Sequence, residues 1–87
     1  MKLISYNQTE PMLKKHFRNL EHGTAKLTTY KRDRFFNITK QKGHFTIEEH
    51  GYKHETFHNL DDKDLFKVLK KRMRIEFPRS HKLYIKL

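Results

Sequence analysis

Residues 24–58, TAKLTTYKRDRFFNITKQKGHFTIEEHGYKHETFH, decide the fold. Side chains here change role every second position, the period of a strand that lays one face on a core. Ala25, Leu27 and Thr29 alternate with Lys26, Thr28 and Tyr30, and Phe45 and Ile47 share a face. Three connections punctuate the run: Lys31–Arg34, Gln41–Gly43 and His50–Gly51. Glycine tolerates the positive φ that tight hairpins demand. The stretch therefore reads as a four-strand antiparallel meander, with the last strand over Tyr52–His58.

On the N-terminal side, Lys2–Tyr6 alternates and predicts a short strand. A helix follows, with Thr9 as N-cap, Glu10 at the positive end of the dipole and Pro11 where a missing N–H costs little. Met12, Leu13, Phe17 and Leu20 form its apolar side, and Gly23 is expected to close it. On the C-terminal side, Asn59 or Asp61 caps a second helix whose first turn is crowded with Asp61, Asp62 and Asp64. Leu65, Phe66, Val68, Leu69 and Met73 define its buried side, and Pro78 ends it. Leu83, Ile85 and Leu87 then alternate with Lys82, Tyr84 and Lys86 as a closing strand. The expected fold is α+β, a single domain over residues 1–87 in the order β-α-β-β-β-β-α-β, with both helices on one face of a mainly antiparallel sheet.

Composition sets the outer limits. The chain has 87 residues and 10.7 kDa, room for one domain. At 34% hydrophobic and mean hydropathy −1.01 it is polar, yet 4 Tyr and 7 Phe are too many for a disordered polyelectrolyte. No apolar run is long enough for a membrane span or a secretion-signal core. With no cysteine, disulfide scaffolds, thiolate zinc sites and thiol nucleophiles are excluded, which fits a reducing cytoplasm.

The formal charge is +10, and it is segregated. Residues 11–42 carry nine Lys/Arg against two acids, residues 43–62 one against five, and residues 63–87 nine against two. On the second helix Lys63, Lys67, Lys70 and Arg74 step by four, three and four and so share one face, with Lys71 beside them. Like charges at these spacings repel, and no acid on the same stripe relieves them. Further cations, Lys31, Arg32 and Arg34, sit at a hairpin tip, and Lys82 and Lys86 share one face of the last strand. Tyr30 and Tyr84 interleave with these cations as stacking candidates. Phe35 and Phe36 must point to opposite faces of their strand, so only one can be core. Arg72, in the apolar half of its helix, is expected to pair with Glu48, Glu49 or Glu55.

These features predict a non-catalytic nucleic-acid-binding protein that holds phosphates largely regardless of sequence. The alternatives are an interaction protein that docks an acidic partner or a second copy of itself, and a metal-free RNase built on Arg79, His81, Lys82 and Tyr84. No cofactor or metal is expected. His50, His54 and His58 have the four-residue spacing of a helical metal site, but in a strand that spacing separates them by roughly 13 Å. Ser5 and Ser80 sit in no nucleophile motif. Four strands followed by a helix, Ala25 to Phe77, are similar in outline to single-stranded-DNA-binding coactivator domains, a likeness of element order alone.

Overall fold

The computed structural model describes residues 1–78 and 81–87. The strands are β1 (Lys2–Ser5), β2 (His22–Thr29), β3 (Phe35–Gln41), β4 (His44–His50), β5 (His54–Leu60) and β6 (Lys82–Lys86), and the helices are α1 (Thr9–Phe17) and α2 (Asp62–Glu76). The fold is α+β in the element order read from the sequence, and every strand pair is antiparallel. Across the sheet the order is β1-β6-β2-β3-β4-β5. The final strand thus inserts between β1 and β2, which consequently run parallel to each other.

Both helices lie on one face. Leu13 and Phe17 of α1 and Leu65, Leu69 and Met73 of α2 share one buried cluster with Leu27, Phe36, Ile38, Ile47, Leu83 and Ile85 of the sheet. Glu10 approaches Lys70, and Lys14 lies over the Phe66 ring, so the helices pass each other antiparallel.

Local sequence explains the ends of the elements, with three departures from expectation. A 3-10 turn over Tyr6–Gln8 precedes α1, so Thr9 is its first residue rather than its cap. Ser5 N–H donates to the Gln8 side chain at 2.9 Å and ties the entry to β1. Gly23 lies within β2 and does not close α1, which ends at Phe17. A Cβ there would meet the tip of the exposed Leu20 side chain, Cδ1 at 2.9 Å. The last meander strand begins at His54, after a turn at 51–53. Asp61 caps α2, accepting from Asp64 N–H at 2.8 Å. The β3–β4 turn uses positive φ at Lys42 (51°) and Gly43 (81°), as a two-residue hairpin with matching twist requires.

Candidate nucleic-acid interface

Strand alternation sends half of the sheet's side chains away from the helices. In register across all six strands, the open face carries Leu3, Tyr84, Thr28, Phe35, His50 and His54 as one row. The next row runs Lys86, Lys26, Asn37, Glu48 and Thr56. The basic part of this face is on β6, β2 and β3, and the acidic and histidine part is on β4 and β5.

Rings and cations are interlocked on the basic part. Tyr30 reaches round from the β2–β3 hairpin to stack on Tyr84, with centroids 5.9 Å apart and planes 11° from parallel. Arg32 places its guanidinium 4.8 Å from the Tyr84 centroid, held there by a positive φ of 63° in the hairpin. Lys26 Nζ sits 4.3 Å over the Phe35 ring, whose other neighbour is the stacked His50 imidazole at 4.7 Å. Lys26 and Lys86 are direct cross-strand partners, an arrangement that costs stability when nothing neutralises it. Among the described residues neither they nor Lys82, Lys31 and Arg32 have a carboxylate within 4.0 Å. Thr28, between Tyr84 and Phe35, is 4% exposed and its hydroxyl has no hydrogen-bond partner.

The basic face of α2 is on the opposite side of the molecule. Lys63, Lys67, Lys71 and Arg74 are exposed, with no carboxylate within 4.0 Å among the described residues, whereas Lys70 meets Glu10 at 3.4 Å. Between α1 and α2 runs a groove of about 780 Å3. Its floor is Leu13, Phe17, Phe45, Leu65 and Phe66, and its rim carries Lys14, Arg18, Lys40, Lys63, Lys67 and Lys70 against Glu10 and Asp62. Lys71 lies outside this groove, and Arg74 lines a separate shallow cleft with Tyr6 and His81.

The twelve residues singled out in the sequence thus separate into two surfaces and one scaffold residue. Tyr30, Lys31, Arg32, Lys82, Tyr84 and Lys86 belong to the open sheet face and its hairpin. Lys63, Lys67, Lys70, Lys71 and Arg74 belong to the helix layer. Arg34, from the same hairpin as Arg32, turns the other way: Nε donates to the Glu76 carbonyl at 2.7 Å, and the guanidinium lies 4.4 Å from the Tyr52 centroid.

Arg34 there joins a buried ionic cluster. Glu76 and Glu49 are 0% and 1% exposed. Glu49 takes both arms of Arg72, at 2.6 and 3.1 Å, and Glu55 takes one at 3.0 Å, two of the three partners expected for that arginine. Burial pushes the Glu49 carboxyl above its ordinary range, with Arg72 pulling against the rise and Glu76 adding to it. Burial also acts to raise Glu76, but hydrogen bonds from the Glu49 carboxyl and from the Tyr52 and Lys53 amides, with the Arg34 charge, outweigh it and hold Glu76 below its ordinary value. Those amides donate to Glu76 at 2.8 and 3.2 Å. At the hairpin, a hydrogen bond from the Thr29 hydroxyl at 2.7 Å lowers Asp33.

The histidines depart from the strand-spacing argument at one point. His50 and His54 are four apart in sequence, yet the chain reverses between them, and their rings face each other across β4 and β5 at 5.8 Å. Among the described residues no three His, Asp or Glu side chains gather as a metal site. His16 is half-buried and donates from Nε2 to the Thr24 carbonyl at 2.9 Å. Of the RNase set, Arg79 lies outside the described residues, as does Ser80. His81 and Lys82 line a cleft of about 730 Å3 with Tyr30, Arg34 and Tyr52, while Tyr84 belongs to the open-face row.

Of the pair Phe35 and Phe36, Phe35 is the one on the open face, whereas Lys26, Lys14, Arg18 and Lys40 are not among the residues expected at a site. Alternation places Lys26 opposite Ala25 and Leu27, but its meeting with Lys86 depends on β6 joining β2, a long-range pairing with no local signal. No protein-family profile, curated protein or solved structure matches the chain. No helix among the described residues is long and apolar enough to cross a membrane.

Proposed function

We propose that the protein is a non-catalytic binder of single-stranded nucleic acid, and that the strand lies across the basic part of the open sheet face. The observation that carries this reading is the opposed Lys26–Lys86 pair beside the Tyr84 and Phe35 rings. It combines an unrelieved positive field with π surfaces on one face. Tyr84 on β6 and Phe35 on β3 are separated by one strand, so their rings stand roughly 10 Å apart. Unpaired bases can stack on exposed Tyr30 and, once Lys26 and Arg32 swing from the rings they cover to meet phosphates with Lys31, Lys82 and Lys86, on Phe35 and Tyr84.

Duplex is a poorer match. Reading a duplex groove calls for a projecting helix or ribbon, and these rings are set into a sheet where only unstacked bases reach them. With backbone contacts dominant, binding is expected to be largely indifferent to sequence. The cytoplasm, which holds such ligands, is the compartment we assign.

The test is fluorescence anisotropy with labelled oligo-dT and oligo-U over a salt series. Five phosphate contacts predict a slope of log K against log salt near −3.5, at about −0.7 per contact for single strands. Tyr30→Ala, at a residue 61% exposed, should weaken binding by roughly 1–3 kcal/mol, the usual worth of one stacked base. Absence of binding to both oligomers at ~50 mM salt would refute the reading.

A further inference from the structure

The groove between α1 and α2 faces away from the sheet surface, and its chemistry is different. Its floor is aliphatic and aromatic, with Phe66 half-buried at its centre. Six cations stand on its two walls against two acids. Three of those cations are already committed: Lys40 donates to the Phe17 carbonyl at 2.9 Å, and Lys14 and Lys70 meet Glu10 at 3.7 and 3.4 Å. Lys63, Lys67 and Arg18 have no carboxylate within 4.0 Å among the described residues.

We propose that this groove docks an acidic amphipathic helix of a partner protein. Such a helix lays an apolar stripe into a groove and is read through anchors at i, i+3, i+4 and i+7. Leu13, Phe17, Phe45 and Leu65 are closed beneath the groove at 0–3% exposure, so half-buried Phe66 and the lysine stems beside it receive that stripe, and the rim supplies the opposite charge. Lys63, Lys67 and Lys70 are spaced four and three apart, so carboxylates at the same spacing on a partner helix meet them in register. From Asp62 to Lys70 the wall is roughly 12 Å long, at about 1.5 Å per residue, and so accommodates about two turns of partner. A volume of about 780 Å3 admits several apolar side chains. A nucleic acid would engage the rim but find one ring there, Phe66, open to a base, against Tyr30, Phe35 and Tyr84 on the sheet face. This proposal does not depend on the function assigned to the sheet.

The probe is a synthetic helical peptide with Leu at i, i+3, i+4 and i+7 and Glu on both flanks. Its control is a shuffled peptide of the same composition with no apolar stripe. The patterned peptide should bind, shift the amide resonances of α1 and α2, and leave those of Lys26 and Lys86 in place. Reversing two rim charges, Lys63→Glu with Lys67→Glu, should weaken it about tenfold, the sum expected for two exposed pairs turned from attraction to repulsion. The neutral pair Lys63→Gln with Lys67→Gln should fall between, and both variants should keep oligonucleotide binding. Lys86→Glu should do the reverse, weakening the oligonucleotide and sparing the peptide. Equal binding of the shuffled peptide would overturn the proposal, because charge alone would then suffice. Displacement by oligo-dT, or attachment to phosphatidylglycerol vesicles without the patterned peptide binding, would overturn it in favour of a phosphate or lipid surface.

Discussion

Glu76→Gln is the sharpest probe of how the end of α2 is tied to the β2–β3 hairpin and the β4–β5 turn. Glu76 is fully buried, and its two oxygens hold the Tyr52 and Lys53 amides of the β4–β5 turn, while its backbone carbonyl and carboxylate hold Arg34. A glutamine keeps one carbonyl oxygen and turns an NH2 toward the second amide, donor against donor. One hydrogen bond to a charged acceptor is lost and the other becomes neutral, at about 1.5–3 kcal/mol for a charged bond and ~1 kcal/mol for a neutral one. The expected loss is roughly 2–4 kcal/mol, a large part of the ~4–13 kcal/mol available to a domain of this length. The melting temperature should fall by about 10–30 °C.

Urea unfolding followed by circular dichroism measures this, and pH gives a second handle. Glu76 is held below 4.5, so its contribution is complete above that value and is lost as pH falls through its depressed folded value. Glu49 is raised, and its contribution has the opposite slope: present below 4.5 and lost as pH rises through its folded value. The gap between wild type and Glu76→Gln should therefore be widest near neutrality and narrow in acid. A gap under ~1 kcal/mol at neutral pH, or one that does not change in acid, would refute the role given to Glu76.

Other perturbations separate the two sides of the sheet. Gly51→Ala should destabilise, because the added Cβ would overlap Glu76 Oε1, and a Glu76→Ala background should remove most of that penalty in a double-mutant cycle. Phe36→Ala, at a fully buried core ring, should cost about 3–5 kcal/mol by chemical unfolding. Phe35→Ala on the open face should cost less than Phe36→Ala and weaken oligonucleotide binding roughly fivefold or more in anisotropy titrations.

Much of the fold is legible because local periodicity and packing agree. The alternation of Ala25, Leu27 and Thr29 and the glycine at 43 specify strands and a turn without any distant information. The same holds for α2, where Asp61 supplies the cap and Leu65, Leu69 and Met73 the buried side. Gly23 misleads, because a glycine inside a strand looks the same in sequence as one that ends a helix. The candidate surfaces are less legible. Lys63, Lys67, Lys70 and Arg74 can be grouped from helical spacing alone, but their separation from Tyr84 and Lys86 follows from the layer order. Arg32 and Arg34 are two residues apart, yet one reaches Tyr84 and the other Glu76, a divergence decided by the hairpin's positive φ and by the position of α2's C-terminus. The burial of Glu49 and Glu76 is hidden because an acid in an amphipathic pattern reads as surface until its partners fold against it.

The most direct measurement is an amide chemical-shift map of the 15N-labelled protein titrated with a short single-stranded oligonucleotide at low salt. Shifts should cluster on Lys26, Thr28, Phe35, Tyr84 and Lys86 and on the Tyr30–Arg32 hairpin, with α2 unmoved. Shifts confined to Lys63, Lys67, Lys71 and Arg74, or spread evenly over every exposed lysine, would contradict it.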